Sequence, residues 1–145
     1  MYKHILIPTD GAPLSSHAIG KAMTLAKDMG AKVTVLTCTE PLRIFSLEPE
    51  QVARTINNYK EEASKQAHRI LAAARQEAEM LGVPCETLEV EHGHPHEAII
   101  ATAAEKGCDL IAMASHGRRG VSAIVLGSET LKVLTHSKIP VLVYR

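Results

Sequence analysis

Residues 4–11 read HILIPTDG, a short apolar stretch that runs into a turn. The aliphatic run Ile5–Ile7 lacks the polar alternation of a strand that has one face in water. Such a run is typical of a strand buried on both faces, as in a parallel sheet covered by helices. The pair Asp10-Gly11 then predicts a tight turn at the carboxyl end of this strand.

Strands and helices are predicted to alternate along the rest of the chain. Aliphatic and β-branched runs predict five strands, His4–Pro8, Lys32–Thr39, Cys85–Val90, Asp109–Ser115 and Pro140–Arg145. Apolar residues that recur every three or four positions predict four helices, Ser15–Met29, Pro49–Gly82, His96–Lys106 and Ser128–Thr135. With right-handed crossovers, we expect one domain over residues 1–145, an α/β fold of three layers (α/β/α) with a five-stranded parallel sheet in the order 3-2-1-4-5.

This sheet order also predicts where a ligand would bind. In doubly wound sheets, ligands bind beyond the carboxyl ends of the strands, at the point where the winding reverses. Here that point lies between the first and fourth strands, which are the most uniformly apolar. We therefore expect the loops 9–14 and 115–127 to face each other.

Composition excludes several classes of protein. The chain has 145 residues, of which 46% are apolar, and its 16 basic and 16 acidic residues give no net charge. Zero net charge offers no general attraction to nucleic acids or acidic membranes. No apolar run approaches the ~20 residues of a membrane-spanning helix. Because the three cysteines form no Cys-x-x-Cys pair, we expect free thiols in a soluble, cytoplasmic protein.

The segment 114–128 reads ASHGRRGVSAIVLGS and joins a buried strand to a helix. Its three glycines allow the backbone to turn tightly and to approach an anion closely. The start of the helix at Ser128 adds N–H groups without helical partners, which favours a phosphate site. The alternative is a solvent-exposed loop with a glycine hinge and Ser128 as the N-cap of the last helix.

Several motifs together resemble the universal stress protein family. They are the small-x-x-Gly-(nine residues)-Gly-Ser spacing of Ala114, Gly117, Gly127 and Ser128, the opening ILIPTDG of residues 5–11, the turn 93–95 and the closing strand 140–143. This resemblance covers essentially the whole chain. It implies an adenine-nucleotide alpha-hydrolase-like fold and a stress-response protein that binds ATP and acts as a nucleotide-dependent sensor or regulator in a homodimer.

The resemblance also implies a set of nucleotide-binding residues. By this resemblance, the phosphates are held by Gly117, Gly127 and Ser128. Asp10 then lies near the ribose or phosphate end, and backbone groups around Thr9 and Cys38 meet the adenine. The full implied set is Pro8, Thr9, Asp10, Cys38, Met113, Ala114, His116, Gly117, Arg118, Gly120, Gly127, Ser128 and Glu129. Mg²⁺ would arrive with ATP and bind phosphate oxygens, with Asp10 as a further candidate ligand.

Two residues depart from the family pattern. Ala114 stands where nucleotide-binding members usually have Gly, and a positive φ there would cost on the order of 1 kcal/mol. Ala12 stands where the family often has Ser, which removes one hydroxyl donor. Both support an alternative function, a nucleotide-free dimeric interaction module of the same fold.

Several polar residues have two interpretations each. Asp10 is a ligand residue or forms an Asx turn with its own backbone. Arg118 and Arg119 either clamp outer phosphates or are solvated, and His116 either donates to phosphate or points to water. The alternating imidazoles of residues 92, 94 and 96 suit zinc, nickel or copper, but no further ligand spacing completes a site and an exposed polar loop is favoured.

Familiar catalytic signatures are missing from the sequence. A slow ATPase is therefore a third hypothesis, supported only by the phosphate loop and Asp10. The last strand favours a homodimer, because the residues Val141–Tyr144 are predicted to form an edge with unpaired backbone groups.

Overall fold

The computed structural model describes residues 1–42, 48–117 and 126–145. Along these residues the elements are β1 (His4–Pro8), α1 (Pro13–Met29), β2 (Lys32–Thr39), α2 (Pro49–Leu81), β3 (Cys85–Glu91), α3 (Pro95–Lys106), β4 (Leu110–Ala114), α4 (Ser128–His136) and β5 (Val141–Tyr144). Strands and helices alternate as the apolar patterns predict. Within the described ranges, no helix combines the length and the apolar character needed to cross a membrane.

The strands form one five-stranded sheet in the order β3-β2-β1-β4-β5, and every pairing is parallel, which confirms the predicted topology. β1 lies at the centre, where Ile5 pairs with Val33 of β2 on one side and with Leu110 of β4 on the other. The chain first winds outward through β2 to β3 and then through β4 to β5. The switch point therefore lies between the carboxyl ends of β1 and β4.

Successive residues of the central strands point to opposite faces of the sheet and fill two cores. The core against α1 and α2 contains Ile5, Ile7, Val33, Val35 and Met23. The core against α3 and α4 contains Leu6, Leu36, Ile111, Ile99 and Val133. Burial of one such side chain contributes about 1.5–3 kcal/mol relative to its exposure. The two cores thus fix the helices on both faces of the sheet, and with them the loops at the strand ends.

The amino end of the sheet is closed by backbone contacts. α1, α2 and α3 each end at a glycine with positive φ, Gly30 at 66°, Gly82 at 72° and Gly107 at 70°. Glycine takes this left-handed conformation without a steric cost and lets the chain turn directly into the next strand. At the same end, the Asp109 carboxylate accepts the backbone N–H groups of Lys3 at 2.9 Å and of His4 at 3.0 Å.

Several element ends differ from the predicted ones by one or two residues. α1 begins at Pro13 and α3 at Pro95, because proline suits the first turn of a helix, where an N–H has no helical partner. β3 continues to Glu91, since the N–H of the next residue, His92, still donates to the carbonyl of Thr39 at 2.9 Å. β4 and β5 are shorter than predicted at both ends, and α4 extends by one residue.

Candidate functional site

Asp10 and Gly117 come from the two loops that were predicted to face each other, and they lie in contact. Asp10 follows β1 and Gly117 follows β4. A β-carbon added at Gly117 would overlap the Asp10 carboxylate oxygen Oδ2 and lie 3.5 Å from its Cγ. The contact thus lies at the switch point of the sheet, where a ligand was expected.

Local hydrogen bonds hold the Asp10 carboxylate in place. Its Oδ1 accepts the backbone N–H of Ala12 at 3.0 Å and the hydroxyl of Ser15 at 2.9 Å. The first of these bonds is an Asx turn, so that interpretation of Asp10 is confirmed. The turn is completed by Gly11, whose φ is 78°. Sequence reasoning missed Ser15, although a hydroxyl in the first turn of a helix is a common partner for a preceding carboxylate.

Thr9 is bound into the sheet through its backbone. Its N–H donates to the carbonyl of Leu36 at 2.8 Å, and its carbonyl accepts the hydroxyl of Thr37 at 2.8 Å. Its own hydroxyl accepts the N–H of Gly11 at 3.3 Å. Since the N–H of Thr9 is engaged in this way, the backbone group of Thr9 that an adenine could meet is its carbonyl, through the remaining lone pair. Pro8, the preceding residue, is the last residue of β1.

Cys38 lies near the end of β2, on the side of the predicted adenine position. Its thiol donates weakly to the carbonyls of Thr39 at 3.9 Å and of His92 at 3.8 Å. Burial, with a smaller contribution from the Glu40 charge, raises the pKa of the Cys38 thiol to about 11. The thiol is therefore neutral at physiological pH and is a poor nucleophile.

The end of β4 is buried and regular. Met113 and Ala114 are each 6% exposed, and the carbonyl of Ala114 accepts the hydroxyl of Thr130 from α4 at 2.9 Å. Every described residue with positive φ is a glycine, so Ala114 is in an ordinary extended conformation. The alanine at this position therefore introduces none of the left-handed strain that was considered from the sequence.

Gly127 lies next to Ser115, the residue that follows β4. Its N–H donates to the carbonyl of Ser115 at 2.8 Å, and an added β-carbon would lie 3.1 Å from that oxygen and 3.3 Å from the Cα of His116. Gly127, rather than Ser128, is the N-cap residue of α4. Ser128 is the first residue of the helix and is exposed, so its N–H belongs to the first turn.

His116 is buried, with 8% of its surface exposed, so the interpretation that it points to water is wrong. Its Nδ1 lies 3.0 Å from the Ser115 hydroxyl. Its Nε2 is buried and has no hydrogen-bond partner among the residues that the structure describes. A buried polar atom without a partner costs about 1–3 kcal/mol, which makes Nε2 a candidate contact for a bound group.

Glu129 connects α4 to α3. Its Oε2 accepts both the backbone N–H of His96 at 2.9 Å and the ring Nδ1 of His96 at 3.1 Å, and its Oε1 accepts Lys132 at 3.3 Å. Burial alone would raise the pKa of Glu129, but these hydrogen bonds outweigh it and the pKa is lowered. No sequence signal could have predicted this interaction, because it joins residues from different helices.

Two of the predicted site residues, Arg118 and Gly120, lie outside the described residues, as does Arg119. The structure does describe His92, His94 and His96, whose rings follow one another at centroid distances of 6.1 Å. Within the described ranges, no group of three or more His, Cys, Asp or Glu side chains is arranged to hold a metal ion.

The fold agrees with the comparison to known families. The model of the universal stress protein family matches residues 1–145. The chain belongs to the universal stress protein family. It is 33% identical to universal stress protein YxiE of Bacillus subtilis over all of both chains.

Solved structures of similar proteins have the same fold. The structure of hypothetical protein MJ0577 of Methanocaldococcus jannaschii is 31% identical, with a TM-score of 0.83 over 99% of this chain and 95% of that chain. A universal stress protein solved in complex with cAMP is 25% identical, with a TM-score of 0.74 over 99% of this chain and 96% of that chain. These comparisons confirm the predicted family and fold.

Proposed function

We propose that this universal stress protein binds ATP between the carboxyl ends of β1 and β4. The bound nucleotide then sets the conformation or partner preference of a cytoplasmic dimer. The contact between Asp10 and Gly117 carries this proposal, because it brings a carboxylate and the backbone of a glycine together at the switch point. The similar protein that was solved with cAMP supports an adenine nucleotide as the ligand class.

Each residue of the proposed site has a distinct role. Backbone N–H groups around Gly117 and at the start of α4 would hold phosphate oxygens, as helix N-termini commonly do. Asp10 would lie near the ribose, and His116 would offer its buried Nε2 to the ligand. Cys38 would line the adenine position as a neutral thiol. Mg²⁺ would bind through phosphate oxygens of the nucleotide.

Calorimetric titration with a non-hydrolysable ATP analogue tests the proposal. A ligand at 100 times its Kd adds about 2.7 kcal/mol to the free energy of unfolding, so we expect a binding heat together with a rise in Tm of several degrees. Mass spectrometry of the small molecules that copurify with the protein gives an independent readout. The absence of both a heat and a Tm rise at millimolar analogue would overturn the proposal.

The dimer is proposed to form through β5, which lies at the edge of the sheet. The carbonyls of Pro140 and Tyr144 accept N–H groups of Ile111 and Ser115 at 3.0 and 2.7 Å, so alternate residues of β5 face β4. The backbone groups of Val141 and Val143 therefore point away from the sheet. Pairing with β5 of a second copy about a two-fold axis would satisfy them. Light scattering that gives the monomer mass of 15.7 kDa at micromolar concentration would reject this dimer.

A nucleotide-free interaction module is a second candidate. The observation in its favour is that Oδ1 of Asp10 and the N–H of Thr9 already have partners within the protein. These groups need no ligand to be satisfied. The two candidates differ in the titration described above, since only the first predicts a binding heat.

A further inference from the structure

Four imidazoles lie in a row on one side of the proposed nucleotide site. His92 and His94 lie in the connection between β3 and α3, His96 is the second residue of α3, and His136 is the last residue of α4. Consecutive ring centroids are 6.1, 6.1 and 6.0 Å apart. We call these four side chains the histidine row. Imidazole is the side chain that ordinarily changes its charge between pH 5 and 8, so the row is a group of neighbouring charges that pH can switch.

The histidine row contacts one end of the proposed nucleotide site through a side chain, and its first residue contacts the other end through the backbone. On the adenine side, the carbonyl of His92 accepts the Cys38 thiol at 3.8 Å. On the phosphate side, Nδ1 of His96 lies 3.1 Å from Oε2 of Glu129, and Glu129 directly follows Ser128 at the start of α4. The row thus reaches the start of α4 through Glu129, and its charge contributes to the potential that a bound polyphosphate would experience.

Other charged side chains lie on the helices and strands around the histidine row. His92 pairs with Glu97 of α3 at 3.7 Å and His96 with Glu129 at 3.1 Å, and Lys132 of α4 also binds Glu129. These elements also carry other charged side chains, among them Glu86, Glu89 and Glu91 in β3, Glu105 and Lys106 in α3, and Glu40 after β2. Each imidazole that gains a proton adds one positive charge to these surroundings.

We infer that the histidine row is a proton-dependent control of the nucleotide site, which binds a polyphosphate more tightly as the row becomes protonated. This inference rests on the proposed function. The sign follows from the added charge, because each protonated imidazole makes the potential at the phosphate end more positive. Binding must in turn promote protonation of the row, since linkage between two binding events is reciprocal.

Replacement of His94 and His136 by Asn tests the inference with little structural cost. Within the described part of the chain, the rings of His94 and His136 contact other imidazoles, whereas those of His92 and His96 also pair with carboxylates. The double variant His94→Asn/His136→Asn therefore leaves both carboxylates paired. The variant His68→Asn is a matched control, because His68 is exposed in the middle of α2 and bonds Ser64.

The measurement is the Kd of ATP at pH 6 and pH 8, in a buffer with EDTA so that no metal ion bridges the imidazoles. Comparison with the variant removes the contribution of the titrating phosphate of ATP itself. Between pH 8 and pH 6 we expect the affinity of the parent protein to increase about fivefold more than that of the double variant, the size expected of a few screened charges. With AMP, which carries fewer charges, the difference is smaller.

Calorimetry in two buffers of different ionisation enthalpy gives a second readout, the number of protons taken up on binding. At pH 6.5 we expect the parent protein to take up more protons than the double variant, whereas His68→Asn equals the parent. Equal pH dependence in the parent and the double variant would overturn the inference and leave the proposed function standing. An equal loss of pH dependence in His68→Asn would also overturn it. No binding at either pH would overturn the proposed function and this inference together.

Discussion

The carboxylate of Asp10 lies directly against the Cα of Gly117, with Oδ2 in the space that a β-carbon at position 117 would occupy. This contact joins the ends of the two central strands without an intervening side chain. It has a direct consequence for substitution, because the carboxylate is also held by Ala12 and Ser15. Any side chain at position 117 must displace a group that is already anchored.

The variant Gly117→Ala is expected to weaken nucleotide binding by about tenfold or more and to lower stability by about 1–3 kcal/mol. The added methyl forces Asp10 to turn, which breaks hydrogen bonds worth about 0.5–1.5 kcal/mol each and strains the packing. Denaturant unfolding and titration with the ATP analogue measure the two effects.

Gly20→Ala is the matched control for this variant. Its β-carbon would lie 2.9 Å from Oε1 of Glu77, the end of a flexible side chain that can rotate away. Because alanine is favoured over glycine within a helix by about 1 kcal/mol, stability should be equal or higher and binding unchanged. If Gly117→Ala also bound the analogue normally, the contact with Asp10 would have no part in the site.

Ala114→Gly is expected to change nucleotide affinity by less than about twofold. Ala114 lies in β4 with an extended backbone, so glycine relieves no strain and instead costs about 0.5–1 kcal/mol of stability through backbone entropy. Titration of both proteins with the ATP analogue checks this. A large gain in affinity would mean that the methyl group obstructs the site, and it would favour the nucleotide-free module.

Val143→Pro is expected to weaken the proposed dimer. The N–H of Val143 points away from β4, so proline there removes a donor from the free edge only. Two-fold symmetry doubles the loss of a hydrogen bond worth about 0.5–1.5 kcal/mol, and the dissociation constant should rise about tenfold or more. Sedimentation over a range of concentrations measures it.

Leu142→Pro serves as the comparison for that variant. Leu142 pairs with Ala112 of β4, and its backbone faces the sheet, so proline there should destabilise the fold itself. A Val143→Pro protein with an unchanged dissociation constant would assign the dimer contact to another surface.

The free energy of unfolding is expected to fall as the pH drops below about 6.5, in part because of His4. Burial, with a smaller contribution from the charge of Lys32, lowers the pKa of His4 in the folded protein. The unfolded chain therefore binds a proton first, and stability is lost as the pH falls from the unfolded pKa toward the folded one. His4→Gln keeps a partner for the hydroxyl of Thr34, which lies 2.7 Å from the ring, and should lose less stability.

Urea unfolding at several pH values between 7.5 and 5 measures this dependence. The lower limit of pH 5 avoids protonation of Asp109 and Glu129. Their pKa values are lowered from ordinary values near 4, because hydrogen bonds outweigh the effect of burial. These carboxylates lose their contribution only in more acidic solution. An identical pH dependence in the parent and His4→Gln would exclude His4 as a source of the loss.

The fold could be predicted because its signals are local. The run Ile5–Ile7 specifies a strand buried on both faces, and the glycines after the helices specify where the chain turns back. Topology followed from the alternation of strands and helices together with the handedness of crossovers. Element ends were less predictable, since β3 is lengthened by a hydrogen bond from His92 to Thr39, residues that lie far apart in the sequence.

The candidate site could be predicted only in part. Sequence spacing placed Asp10 and Gly117 in facing loops, and the structure brings them into contact. It did not show that Gly127 caps α4, that His116 is buried or that Glu129 binds His96. These features depend on how separate helices pack together, and the spacing of apolar residues in the sequence does not predict that packing. The assignment of the nucleotide-binding residues stays a prediction.

The closure of the amino end of the sheet implies that the two ends have different roles, one in stability and one in ligand binding. Three glycine-ended helices and the Asp109 carboxylate secure that end through backbone groups, whereas the residues proposed to meet a ligand lie at the opposite end. Exchange of a whole loop at the carboxyl end should therefore retarget the protein to another ligand while it still folds. The chain can therefore serve as a scaffold for engineering, with loop exchanges confined to the carboxyl end of the sheet.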